Sequence, residues 1–318
     1  MKRVYLMVAL VMGSVAGYGQ TDDKGYEEGK WVLKGITGVN MSQTAVSNWS
    51  AGGENSFAGN AYLNGTLTHK RANWLWISNL GLDYGLTKTK SQGVQKTSDK
   101  IAFSTQLGYK ASEKWYYTAM ADLNTQFYKG YNYPDKSHYI SKFFAPAYSN
   151  ISFGMDFRPK SNYSLYLSPI AGKLTFVEDD YLSKEGAFGV DPGDRFKAEL
   201  GAFIKAKAEQ KIMENVNLIT SVDFFTPYDK QFGNVDVNWD MLINMKINKY
   251  LSATLNTTLK YDNDVKTFNK ESEKHGAKVQ FKEVLGIGVA TISDKKRVNA
   301  SIFSKKPAAI GCSIQRKG

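Results

Sequence analysis

Trp74-Leu75-Trp76-Ile77-Ser78-Asn79-Leu80-Gly81-Leu82-Asp83-Tyr84-Gly85-Leu86 is the stretch whose reading decides the fold. Taken every second residue, one face is Trp74, Trp76, Ser78, Leu80, Leu82, Tyr84 and Leu86. The other opens with Leu75 and Ile77 but continues as Asn79, Gly81, Asp83 and Gly85. A sustained period of two specifies a strand, because successive side chains leave a pleated backbone on opposite sides. Rings at both ends of the apolar face, with polar or small residues behind it, mark a strand that has lipid on one side and a watery lumen on the other.

The same alternation recurs outward from this stretch. Val235, Val237, Trp239, Met241, Ile243, Met245 and Ile247 oppose Asp236, Asn238, Asp240, Asn244 and Lys246, and Trp115, Tyr117, Ala119, Ala121, Leu123 and Phe127 oppose Thr118, Asp122, Asn124 and Gln126. About twelve such segments are predicted, the first near 31–41 and the last near 277–289. Connections near 70–73, 111–114, 159–162, 208–215 and 248–249 are short. Those near 42–56, 87–100, 129–145, 172–193, 226–234 and 262–276 are long and polar. An even strand count with short and long connections in alternation predicts an all-β chain, a single antiparallel up-and-down transmembrane barrel with short periplasmic turns and long outer loops. Pro169 is read as the place where the seventh strand bends or stops.

Aromatic residues are expected in two belts where membrane meets water, Trp74, Trp76, Tyr109, Trp115 and Tyr163 toward the short turns, and Tyr84, Phe127 and Tyr261 toward the long loops. Among 318 residues, 19 Tyr, 17 Phe and 6 Trp against 7 Pro suit a chain of many strands. Mean hydropathy is −0.39, and beyond the amino terminus no apolar run reaches the roughly 18 residues of a membrane helix. A membrane crossing must therefore be made by a closed barrel.

Met1-Lys2-Arg3 followed by the apolar Val4 to Val15 and small residues at Gly17 and Gly19 reads as a cleaved export signal over 1–19. The organisation expected is that signal, a periplasmic lead over 20–30, a barrel over 31–289 in the bacterial outer membrane and a basic, disordered tail over 290–318. Cys312, the single cysteine, excludes a disulfide framework and a cysteine metal site. The net charge of +11 is dispersed and accompanies no nucleic-acid motif, so nucleic acid is not an expected partner. Lipid, lipopolysaccharide and the barrel-assembly machinery are.

For the lumen, Lys34, Arg158, Arg195, Lys197, Lys205, Lys278 and Lys282 are the basic candidates, set against acids that include Asp83, Asp122, Asp156, Glu199, Asp223, Asp236 and Asp240. Closure of the ring would put Lys34, Lys278 and Lys282 on one wall as a basic strip favouring anionic solutes. The same charges could instead pair across the lumen and fill it. Tyr62, Tyr116, Tyr128 and Tyr166 are expected to point inward. The carboxylates of 178–180 and 191–194 could hold a divalent cation or simply form a solvated acidic loop. No metal, cofactor or catalytic residue is assigned. A Ser-His pair on an outer strand face, which an outer-membrane phospholipase would need, is not found among His69, His138 and His275.

Trp31 to Gly38, the segment Asn48-Trp49-Ser50-Ala51-Gly52-Gly53-Glu54-Asn55-Ser56 and the closing Lys278 to Gly288 resemble the DUF3078 family of Bacteroidota outer-membrane proteins. Asn48, Trp49, Gly52, Gly53 and Glu54 carry the more specific part of that likeness. The resemblance implies a barrel in the outer membrane and, since the family is of unknown function, no active site. A passive pore for small, anion-leaning solutes is the function these readings favour. A plugged barrel with a structural or surface role is the alternative.

Overall fold

The computed structural model describes residues 26–46, 54–229, 233–248, 250–269 and 274–298. The stretch 1–25, which includes the expected export signal, residues 47–53 of the family-like segment and the chain beyond 298 lie outside them. In chain order the strands are β1 (Trp31–Thr44), β2 (Ser56–Arg71), β3 (Trp74–Thr89), β4 (Gly93–Lys110), β5 (Trp115–Thr125), β6 (Gly130–Tyr131), β7 (Tyr139–Ser141), β8 (Ala147–Phe157), β9 (Tyr163–Phe176), β10 (Phe196–Met213), β11 (Val216–Pro227), β12 (Asp236–Lys246), β13 (Leu251–Tyr261), β14 (Lys266–Asn269), β15 (Lys274–Ala277) and β16 (Gln280–Val298). Twelve of them close an antiparallel ring in which each strand pairs with its sequence neighbour and β16 returns to β1. The remaining four form two small hairpins, β6 with β7 and β14 with β15, in the long connections.

Closure follows from the alternation. Leaving no free edge satisfies every ladder donor without water, and one apolar face is then left to the surroundings. On that outer face Trp74, Trp76 and Leu80 of β3 are exposed together with Phe103, Phe153, Leu200 and Ile287 from strands around the ring. Leu75, Ile77 and Asp83 of the same β3 are buried inside. A soluble protein of this size does not leave so continuous an apolar surface uncovered. Closed, up-and-down and apolar outside, the chain has the architecture of an outer-membrane β-barrel.

Rings cluster at both rims. Toward the short turns Trp74 meets Tyr109 at 5.0 Å, Trp115 meets Phe157 at 4.9 Å and Trp31 stacks on His69 at 4.4 Å. Toward the long loops Tyr84 meets Phe127 edge-on at 6.1 Å. Tyr163 faces outward with its hydroxyl donating to Gln210 Oε1 at 2.9 Å, and Tyr261 packs beside Trp239 on the outer wall.

Three expectations need correction. The polar stretch 87–100 is not a loop: β3 runs to Thr89 and β4 starts at Gly93, so the hairpin rises past the rim on polar residues that pair without needing lipid. The seventh strand does not end near Ser168: β9 bends at Pro169, one of the two outcomes read for that residue, and continues to Phe176, so the loop expected from 172 begins only after it. Pro169 and Ile170 form a bulge opposite Ala202, since Phe203 pairs with Ser168 while Gly201 pairs with Ala171. Proline lacks a ladder donor and is tolerated where an extra residue already breaks the ladder. Gly154 faces that bulge, and a Cβ there would sit 2.1 Å from the Leu167 carbonyl oxygen.

The bulge also shifts the phase of β9. Before it Tyr166 and Ser168 face inward, and after it Ala171, Lys173 and Thr175 do. Finally, β16 does not end at Val289. Residues 290–298, assigned to the tail, continue the strand and pair with β1 down to Trp31. β1 offers a free ladder beyond the end of β13 at Leu251, so pairing continues in spite of the weak alternation.

Candidate functional site

The lumen holds a polar cavity of about 780 Å³. Its wall runs from Glu214, Asn215 and Lys246 at the short-turn end to Asp83, Lys100 and Asp240 midway up the barrel. It is bounded above by ion pairs. Lys100 and Asp240 stand on strands six places apart in the ring of twelve, on opposite walls, and Lys100 Nζ lies 2.7 Å from Asp240 Oδ2. Thr258 Oγ1 donates to the other oxygen of Asp240 at 2.8 Å. The result is a crossbar through the lumen.

A second tier closes the barrel nearer the long loops. Lys173 reaches Asp236 at 2.6 Å and Asp262 at 2.9 Å, and Lys197 reaches Asp264 at 2.6 Å and Glu199 at 3.2 Å. Asp262 and Asp264 belong to the connection after β13, so this outer loop is pinned by lysines rising from inside. Burying these charges costs several kcal/mol each unless they pair, and pairing across strands is the compensation available in a narrow ring.

Above this tier the long loops make a small core of their own. Ala145, Val177, Leu182 and Val190 are buried together. Asp179 caps the short helix Asp180–Lys184 through Leu182 N at 2.9 Å, accepts from Tyr139 at 3.0 Å and pairs with Lys142 at 2.5 Å. Burial raises the Asp179 carboxyl, but Lys142, the Leu182 amide and Tyr139 outweigh it and hold the group below its ordinary value. The acidic stretch is thus committed to protein partners, Glu178 and Asp180 both meeting Arg195.

At the other end the lead folds over the short-turn mouth. The Tyr26 ring packs on Leu75, Ile77 and Tyr116, while its hydroxyl donates to the Ser161 carbonyl at 3.3 Å and accepts from Arg158 Nη1 at 2.9 Å. Arg158 is held in turn by Asp156 at 2.7 Å. Burial pushes the Tyr26 phenol up against the lowering effect of Arg158, so it stays protonated as a donor. Glu28 ties down the same lead, its carboxylate accepting from Ala72 N at 2.5 Å.

The basic candidates divide accordingly. Lys34, Arg158 and Lys205 line the lumen, the last paired with Asp223 at 2.9 Å, and Lys197 stands in the upper tier with Glu199 and Asp264. Lys282 does too, but its ammonium meets Ser98 Oγ at 2.8 Å and Asp83 at 3.7 Å across the ring, so it belongs to a charge network and not to a strip with Lys34. Lys278 lies in the junction before β16 and Arg195 at the exposed loop rim, because the strands that would have turned them inward start after them. Tyr62, Tyr116 and Tyr166 are buried inside, whereas Tyr128 is exposed beyond the end of β5. Of the family-like segment, Glu54 is described. Its carboxylate takes Ser91 N at 2.9 Å and Ser91 Oγ at 2.7 Å, clasping the β3–β4 turn.

Lys100, Lys173 and Lys207 are lumen lysines that were hidden from the sequence reading. Lys100 fell in the supposed loop and Lys173 beyond the supposed strand end. Lys207 had a usable signal, for it continues the inward parity of Lys197 and Lys205 through a strand that runs to Met213. Among the described residues no group of three or more His, Cys, Asp or Glu side chains is arranged to hold a metal ion.

Residues 41–131 match the DUF3078 family, proteins of unknown function. The match runs from the end of β1 through β6 and bears out the resemblance read from the sequence over that part. The DUF3078 segment contains the decisive β3 and both partners of the Glu54–Ser91 clasp. No curated protein matches. Among solved structures, an outer-membrane channel from Pseudomonas putida F1 is similar at 10% identity, covering 86% of this chain and 99% of its own, with a TM-score of 0.38. The translocator domain of the autotransporter NalP from Neisseria meningitidis gives 8% identity, 90% and 95% coverage and 0.35. The NanC porin gives 5%, 80% and 98%, and 0.34.

Proposed function

We propose that this protein sits in the bacterial outer membrane and acts as a narrow pore for small polar solutes, with a lean toward anions, held shut by the ion pairs of its upper lumen. The observation that carries this reading is the polar cavity of about 780 Å³, too large and too charged to be a packed core. Hydrocarbon surrounds the wall, lipopolysaccharide the outer rim, and the assembly machinery is the partner in insertion. Export by the amino-terminal signal belongs to the same reading.

A plugged barrel with a structural role is favoured by the Lys100–Asp240 crossbar and the Tyr26 cork. Conductance of the purified protein in planar bilayers separates the two. Steps that grow when the crossbar is removed support the pore, and silence in both wild type and variant defeats it. A hydrolase finds less support: Ser137 Oγ lies 3.0 Å from His138 Nδ1, but the two are chain neighbours on an exposed loop.

A further inference from the structure

We propose that Lys34 and Lys207 form a binding site for a small oxyanion, a carboxylate- or sulfate-sized group, in the short-turn half of the lumen. Both line a recess of about 80 Å³ that adjoins the main cavity through shared walls, large enough for several waters or one such group. β1 and β10 are five places apart in the ring, so the two ammonium groups approach the recess from nearly opposite walls.

Their partners set them apart. Of the lysines lining the cavity away from its rim, Lys100, Lys205 and Lys282 each have a carboxylate within 4.0 Å. Among the described residues Lys34 and Lys207 have none that close, although Glu27 and Glu209 line the same recess and Glu209 acts on Lys207 at longer range. Lys207 Nζ instead donates to a neutral amide oxygen, Asn79 Oδ1 at 3.0 Å, which also accepts from Thr66 Oγ1 at 2.9 Å. A half-buried lysine with no carboxylate in contact is only partly compensated by an amide oxygen or by a carboxylate at longer range. Two such lysines facing one recess, with the Gln106 side chain on its wall, are completed by an anion that both can donate to.

The inference deepens the pore reading by naming its solute class, but binding does not require that the barrel conduct. The test is calorimetric titration of inorganic sulfate into the detergent-solubilised full-length chain, at constant ionic strength made up with chloride. Saturable binding is expected. Lys34→Gln or Lys207→Gln should weaken it roughly 10-fold or more, the loss of one charge-assisted hydrogen bond. The double variant should abolish it, Lys34→Arg with Lys207→Arg should retain it, and Lys282→Gln should leave it within about threefold. Circular dichroism and heat-modifiable gel migration report whether each variant is a folded barrel. Wild type without saturable sulfate binding, or folded glutamine variants that bind as wild type does, would overturn the site. Sulfate binding in a barrel that never conducts would preserve the site and overturn the pore. Conduction with no sulfate binding would do the reverse.

Discussion

Replacing Asp240 by Asn tests the crossbar with minimal disturbance, because the amide keeps the oxygen that accepts from Thr258 and removes only the charge facing Lys100. At 2.7 Å and an effective dielectric of about 20, the gross attraction is about 6 kcal/mol. Both side chains are about 30% exposed, however, so water screens the pair and part of that gain is spent on desolvation. The net coupling should be about 1–3 kcal/mol, between an exposed pair and a buried one. Asp240→Asn, Lys100→Gln and the double variant, unfolded by urea from lipid vesicles, make a cycle that isolates it. In planar bilayers each single variant should conduct better than wild type, since a severed crossbar lets both side chains fall back to their own walls. Lys100→Asp with Asp240→Lys should restore the closed level. Coupling below about 0.5 kcal/mol, the range within which independent sites simply add, together with unaltered conductance, would refute the crossbar.

Three further outcomes follow from other parts of the molecule. Tyr26→Ala should remove the cork over the short-turn mouth, lowering stability by about 3 kcal/mol and raising conductance; a variant with neither effect would mean the lead does not close the barrel. The loop cap should be most protease-resistant over a broad neutral range. Asp179, held low, contributes fully above the ordinary carboxylate range and loses that contribution as pH falls through its depressed value. Lys142, raised first by its hydrogen bond to Asp179, contributes below the ordinary lysine range and fades as pH rises through its elevated value. Asp179→Asn should erase the acid limb, read by proteolysis of residues 177–195 against pH. Leu80→Arg, on the lipid face near mid-wall, should cost about 2–4 kcal/mol, and Leu86→Arg near the loop rim about 0–1, so equal costs would put the membrane at another height.

The alternation of Trp74–Leu86 and Asp236–Ile247 was enough to determine strands, their inner and outer faces and the closed ring, because a period of two is a property of the local backbone. Lys34, Lys205 and Asp240 could be placed in the lumen by parity alone. Which charge meets which could not. Lys100 and Asp240 are 140 positions apart and meet only because the ring brings opposite walls together, and Lys173 enters the lumen only because the bulge at Pro169 shifts the phase of β9. That Lys34 and Lys207 are left without a carboxylate in contact is decided by the same closure. Pairing inside a barrel depends on radius, stagger and side-chain reach, and those exist only once the last strand has met the first.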